Sequence, residues 1–170
     1  MVFNYKDNNM NVYCSVSANT NEGFDTLWSE LKLTQWSENG HYYLYVDEAI
    51  SWAKAYNRAM EFKLAGQRGY LATVTESKEA EYLLGLTNQS VWVGGTRLVD
   101  SKGQMLQDSA IVPIRNGVLK YGTQYYWASG PERGQLITKL WGTGEPNGIN
   151  VPTENDSALD ITLESVNTQE

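Results

Sequence analysis

The sequence predicts an α+β domain: two helical segments set among short strands, then a long stretch poor in helical signals. Three observations lead there. Tyr42-Tyr43-Leu44-Tyr45-Val46 is a strand-length run of strand formers. Between Asp47 and Leu64, apolar residues recur at helical spacing. Thr96 to Asn155 is instead punctuated by turn signals at Asn116-Gly117, Gly122 and Ser129-Gly130-Pro131. A chain of 170 residues is long enough for one domain with a real core, or for a domain plus an extension.

In chain order, residues 1–36 start polar and asparagine-rich, with a short alternation at Val12, Cys14 and Val16 that fits a strand. Phe24, Leu27, Trp28, Leu31 and Leu33 follow at roughly helical spacing. This stretch reads as an N-terminal extension or part of a neighbouring module, with the domain proper over 37–170. After the Tyr42–Val46 strand, Asp47 is a plausible N-cap for a helix to about Leu64. Ile50, Ala53 and Tyr56 form one stripe of it, with Trp52, Ala55, Ala59 and Phe62 beside it. Gly69 to Val74 reads as a second strand, and Thr75 as the cap of a second helix from Glu76 to about Leu84. Glu76 and Glu79 then lie near that helix's positive end. Val91-Trp92-Val93-Gly94-Gly95 is a short buried strand ending in glycines. Ile111–Ile114, Gln124–Trp127 and Asp156–Ile161 are the remaining strand candidates.

Net charge is −7 and the pI about 4.7, which disfavours a nucleic-acid partner, since neutralising phosphates takes clustered Lys and Arg. No apolar run approaches the roughly 18 residues of a membrane span. Met1-Val2-Phe3-Asn4-Tyr5-Lys6 lacks the basic-then-apolar order of a secretory signal, so a targeting segment is expected upstream or already removed. Cys14 and His41 are the only residues of their kinds, which removes disulfide frameworks, Cys- or His-rich zinc sites and most nucleophile–base pairs.

The acid is unevenly placed. After Lys139 there is no Lys or Arg, while Glu145, Glu154, Asp156, Asp160, Glu164 and Glu170 all fall there. Crowded like charges repel unless a cation sits among them, so a solvated acidic tail and a cation site are the competing readings. Within this segment, Gly144-Glu145-Pro146-Asn147-Gly148 follows Trp141. Glu145 and Asn147 each offer a side-chain oxygen, the ligand type that calcium takes.

The ordered pattern from Trp36 to Thr162 resembles the C-type lectin-like domain. Trp52-Ala53-Lys54-Ala55-Tyr56-Asn57-Arg58-Ala59 is similar to the family's first-helix motif Trp-x-x-Ala-x-x-x-Cys, with Ala59 at the cysteine. Gly69-Tyr70-Leu71-Ala72-Thr73-Val74-Thr75 with Glu79 resembles the stretch leading into the second helix. Val91-Trp92-Val93-Gly94-Gly95 stands where the family has Trp-Ile-Gly-Leu, and Trp127 and Trp141 look like later core aromatics. Glu145-Pro146-Asn147 matches the sugar- and calcium-binding motif, and Glu154-Asn155-Asp156-Ser157 the acidic run after it, with Ser157 at a second cysteine. The cysteine-free style is similar to modules of large bacterial surface adhesins.

The resemblance implies two helices flanking small antiparallel sheets and a long loop-rich ligand-binding region. It implies a Ca2+ ion held by Glu145, Asn147, Glu154, Asn155 and Asp156, with Glu145, Asn147 and Glu154 also touching ligand. Pro146, Trp92, Gly94 and Trp141 would be structural. The Glu-Pro-Asn order implies mannose-, glucose- or fucose-type hydroxyls, in an extracellular, cell-surface adhesion module with neighbouring modules and no catalysis. The family's Trp-Asn-Asp after the last strand has no counterpart here. Either that strand lies beyond this chain, or other oxygens serve, with Asp160 and Glu164 as candidates. Two further readings stay open: calcium-dependent capture of a peptide C-terminus or protein surface, with Tyr121, Tyr125, Tyr126 and Trp127 as groove walls, and a scaffold without a functional ion.

Overall fold

The computed structural model describes residues 10–16, 33–64, 67–87, 90–100, 102–106, 119–142, 146 and 158–161. They form an α+β arrangement of two helices with a mostly antiparallel sheet and a two-stranded ribbon. The strands are β1 (Met10–Val16), β2 (Leu33–Gln35), β3 (Tyr42–Ile50), β4 (Lys63–Leu64), β5 (Gln67–Arg68), β6 (Tyr70–Leu71), β7 (Val91–Asp100), β8 (Leu119–Trp127) and β9 (Ala158–Ile161). The helices are α1 (Trp52–Glu61) and α2 (Ser77–Gly85). Strand order in the sheet is β2-β3-β1-β7-β8, with β6 also pairing β1 and β9 pairing β7. β1 and β7 run parallel; the other pairings are antiparallel. β4 and β5 make a separate ribbon.

Alternation along the strands puts a helix on each face of the sheet. Trp92, Leu98, Leu71 and Tyr126 pack with Trp52, Ala55, Tyr56, Ala59 and Met60 of α1. Their sequence neighbours Val91, Val93, Ala72 and Trp127 pack on the other side with Ala80 and Leu83 of α2, together with Trp36 and Tyr43. Val91 to Leu98 is buried throughout, as a strand covered on both faces must be.

Several boundaries differ from expectation. β3 runs through Asp47 to Ile50, so Asp47 caps nothing and α1 starts at Trp52, with Ser51 as N-cap. The cause is pairing: β1 matches β3 as far as Met10 opposite Ile50, and ladder bonds outweigh the helical preference of Glu48 and Ala49. α1 stops at Glu61 because Phe62 turns extended and leads into β4. α2 begins one residue late, with Glu76 rather than Thr75 as N-cap. The Gly69–Val74 strand shortens to β6, while the Val91–Gly95 strand lengthens past its glycines to Asp100. Gln124–Trp127 is the end of β8, and the Asp156–Ile161 strand is described over Ala158–Ile161. Leu33, expected on a helix, lies in β2; the rest of that segment and Ile111–Ile114 are outside the described residues.

Gly94 shows why a glycine sits mid-strand. Its N–H donates to Ala72 O at 2.8 Å, its carbonyl accepts from Ala128 N at 2.9 Å, and a Cβ would stand 2.8 Å from Leu71 O. Only a residue without a side chain lets β7 lie that close to the Leu71–Ala72 backbone.

Candidate functional site

The route to the Glu-Pro-Asn loop starts in β8. Tyr125, Tyr126 and Trp127 are buried and Tyr121 is packed against the α1-side core, so these aromatics fill the interior rather than wall a groove. Tyr126 is fixed at both ends of its hydroxyl, which donates to Leu98 O at 2.6 Å and accepts from Leu106 N at 2.7 Å. Burial pushes its pKa up to about 12. Past Trp127 the chain turns through Gly130 and Gly134, both at positive φ, and returns beside β8. There Trp127 N donates to Gln135 O at 3.1 Å and Ile137 N to Tyr125 O at 3.0 Å. A Cβ on Gly130 would fall 2.5 Å from the Tyr70 ring, so this turn closes against β6.

Leu140 then takes φ 66°, the left-handed region that a branched side chain rarely occupies. Its side chain packs against the α2-side core. The next residue, Trp141, is half-buried, its ring edge-on to Tyr125 at 5.1 Å between centroids. A buried strand thus fixes the entry to the loop, and Pro146 follows as a half-buried bend. Glu145, Asn147, Glu154, Asn155 and Asp156 lie outside the described residues, as do Ser157 and Glu164. Asp160 is in β9, opposite Trp92 of β7. Among the described residues, no group of three or more His, Cys, Asp or Glu side chains could hold a metal ion.

Of the residues expected to be structural, Trp92 is buried and donates its Nε1–H to Ile50 O at 3.3 Å. Gly94 sits at the close approach described above. Trp52 donates to Val93 O at 2.8 Å, tying α1 to β7. Ala59, at the family's cysteine position, is fully buried, and its carbonyl lies where a Cβ on Gly69 would reach.

A second polar cluster was not foreseen. Glu79 is 2% exposed, yet its carboxylate takes four donors. Tyr43 Oη and Asn39 Nδ2 donate to Oε1 at 2.5 and 3.2 Å; Thr75 N and Oγ1 donate to Oε2 at 2.9 and 3.4 Å. Asn39 Nδ2 also donates to Tyr43 Oη at 2.8 Å. Burial raises the Glu79 pKa, bonds from Tyr43 and Thr75 and the nearby His41 work against that, and Glu132 adds to it. Burial also raises the Tyr43 pKa, reinforced by Glu79. Glu132 itself accepts from Thr73 Oγ1 at 2.6 Å, pinning the Gly130–Gly134 turn to the segment before α2. In the sequence Glu79 shows as an acid near a helix N-terminus and as part of the family-like stretch, but its partners do not, because Asn39 and Tyr43 reach it from around the distant start of β3. Arg97 is equally hidden: the residue is 2% exposed and its guanidinium lies over the Tyr121 ring, 5.4 Å from the centroid.

No family model matches this chain. It is 28% identical over 123 residues to Halomucin of Haloquadratum walsbyi (strain DSM 16790 / HBSQ001). That alignment covers 66% of this chain, and the chain spans only about 1% of that protein's length. No solved structure matches.

Proposed function

We propose that the chain is a C-type lectin-like, non-enzymatic adhesion module that binds carbohydrate through calcium at Glu145-Pro146-Asn147. The observation that carries this reading is the motif itself, entered from Trp141 on a backbone anchored to β8 by Tyr125. It is supported by the motif positions of the two helices and the strand between them: Trp52, Ala55, Ala59, Glu79, Trp92 and Gly94 are all buried. Glu145 would accept a hydrogen bond from one sugar hydroxyl and the Asn147 amide would donate to its neighbour, while both oxygens hold the ion. Glu154, Asn155 and Asp156 would supply further oxygens. That donor–acceptor order fits mannose-, glucose- or fucose-type hydroxyls. The likeness to a stretch of Halomucin supports a module within a very large protein at the cell surface, and no helix among the described residues is long and apolar enough to cross a membrane. The burial of Tyr125, Tyr126 and Trp127 favours the sugar reading over a peptide groove, which would draw on those aromatics as walls.

The test is a thermal melt in calcium against chelator, on the chain and on Glu145→Ala. An ion that binds only the folded state stabilises it by about 2.7 kcal/mol at one hundred times its Kd, a shift of several degrees. The expected result is a calcium shift that Glu145→Ala abolishes, with mannose-type sugars competing on a glycan array. A chain whose melt ignores calcium would sink the proposal.

A further inference from the structure

The β4–β5 ribbon carries a charge arrangement that its own stability does not explain. Lys63 and Arg68 stand directly opposite each other across the ladder, with Leu64 opposite Gln67. Opposed residues on an antiparallel pair share a face with Cβ atoms about 4.5–5.5 Å apart, where like charges destabilise. Both cations are exposed. Neither belongs to the ion pairs among the described residues, which join Arg58 to Glu48 and Glu61, and Lys78 to Glu38.

The ribbon is also held in place. Leu64 is 2% exposed, Gly69 N donates to Phe62 O at 2.8 Å, and a Cβ on Gly69 would stand 2.7 Å from Ala59 O. The strands therefore lie against the end of α1 and hold the two charges together. Residues 54–68 bring four cations, Lys54, Arg58, Lys63 and Arg68, of which Arg58 is paired with Glu48 and Glu61, in a chain of net charge −7.

We propose that the exposed face of the β4–β5 ribbon binds an acidic glycan, whose carboxylate or sulfate groups bridge Lys63 and Arg68. An anion between the two side chains turns one repulsion into two attractions. The surface chemistry favours a glycan over a polypeptide. Protein interfaces have aromatic- and Met-rich centres, whereas the exposed large apolar residues among the described residues, Leu86, Met105 and Leu136, lie outside the ribbon. Two cations need no calcium, so this contact stands apart from Glu145-Pro146-Asn147 and fails or holds separately.

Binding of the full chain to heparin and to polygalacturonate, in chelator and at low salt, tests it. The expected result is calcium-independent, salt-sensitive binding that falls about tenfold or more in Lys63→Glu/Arg68→Glu. It should persist in Lys102→Glu/Lys120→Glu, which makes the same change in net charge at exposed sites elsewhere. Equal loss in both double variants would assign the effect to net charge and overturn the ribbon site. Binding of polyglutamate as tight as that of heparin would overturn the glycan assignment in favour of an acidic polypeptide. No binding in chelator would overturn both. Lys63→Glu alone should melt at or above the wild-type temperature, since it removes the opposed like charges; a lower melt would overturn the premise.

Discussion

A carboxylate that is 2% exposed usually needs a cation; Glu79 has four hydrogen-bond donors instead. Burial wins the balance and its pKa is raised, which fixes a direction for stability. A carboxyl group with a raised folded-state pKa binds its proton more tightly in the folded chain. Its contribution is therefore fully present below the unfolded value, about 4.3 for Glu, and is lost as pH rises through the folded value. The stability difference between wild type and Glu79→Gln should fall as pH rises from about 4.3 toward neutrality, read from denaturant midpoints across that range. A difference that is flat with pH would mean that Glu79 titrates normally. At Gly94 the constraint is steric. Gly94→Ala places a methyl 2.8 Å from the Leu71 carbonyl, where only backbone could yield. A loss of about 1–3 kcal/mol is expected from chemical denaturation, and an unchanged midpoint would mean that the β6–β7 approach is slack.

At the scale of elements, local pattern was readable and pairing was not. Both helices, the Tyr42 strand, the Val91 strand and the end of β8 could be seen as runs of the right residue types, because each helix buries one stripe and the strands bury apolar residues on one face or both. Their limits could not. β3 extends to Ile50 because β1 pairs with it there, and β7 extends to Asp100 because Leu119 to Tyr121 of β8 lie opposite its far end. Neither partner is near in sequence. The same holds for Glu79 and for the Lys63–Arg68 pair, which become visible only when the register is known. The Glu-Pro-Asn motif is the reverse case. Its chemistry is plain in the residues, and the described structure adds how the chain is delivered to it: Tyr125, the positive φ of Leu140, and Trp141.

For the molecule as a whole, the N-terminal strand matters most. β1 lies between β3 and β7 in the sheet and also meets β6. Without it, three ladders open and the sheet divides. A version of the chain lacking residues 1–16 should lose its cooperative melt; an unchanged melting temperature would make β1 dispensable. This placement has a consequence for how the chain is made. β1 is synthesised before the other elements described, yet its parallel partner Val91-Trp92 follows only after both helices. Closing so long a loop before any contact rewards it is entropically costly, so pairings of this kind form slowly. Until then β2, β3 and β6 can pair around β1, but its Asn11–Val12 stretch keeps a bare edge, the kind that recruits strands from neighbouring chains. The interval between the synthesis of β1 and that of β7 is when the chain is most open to mispairing with a second copy of itself.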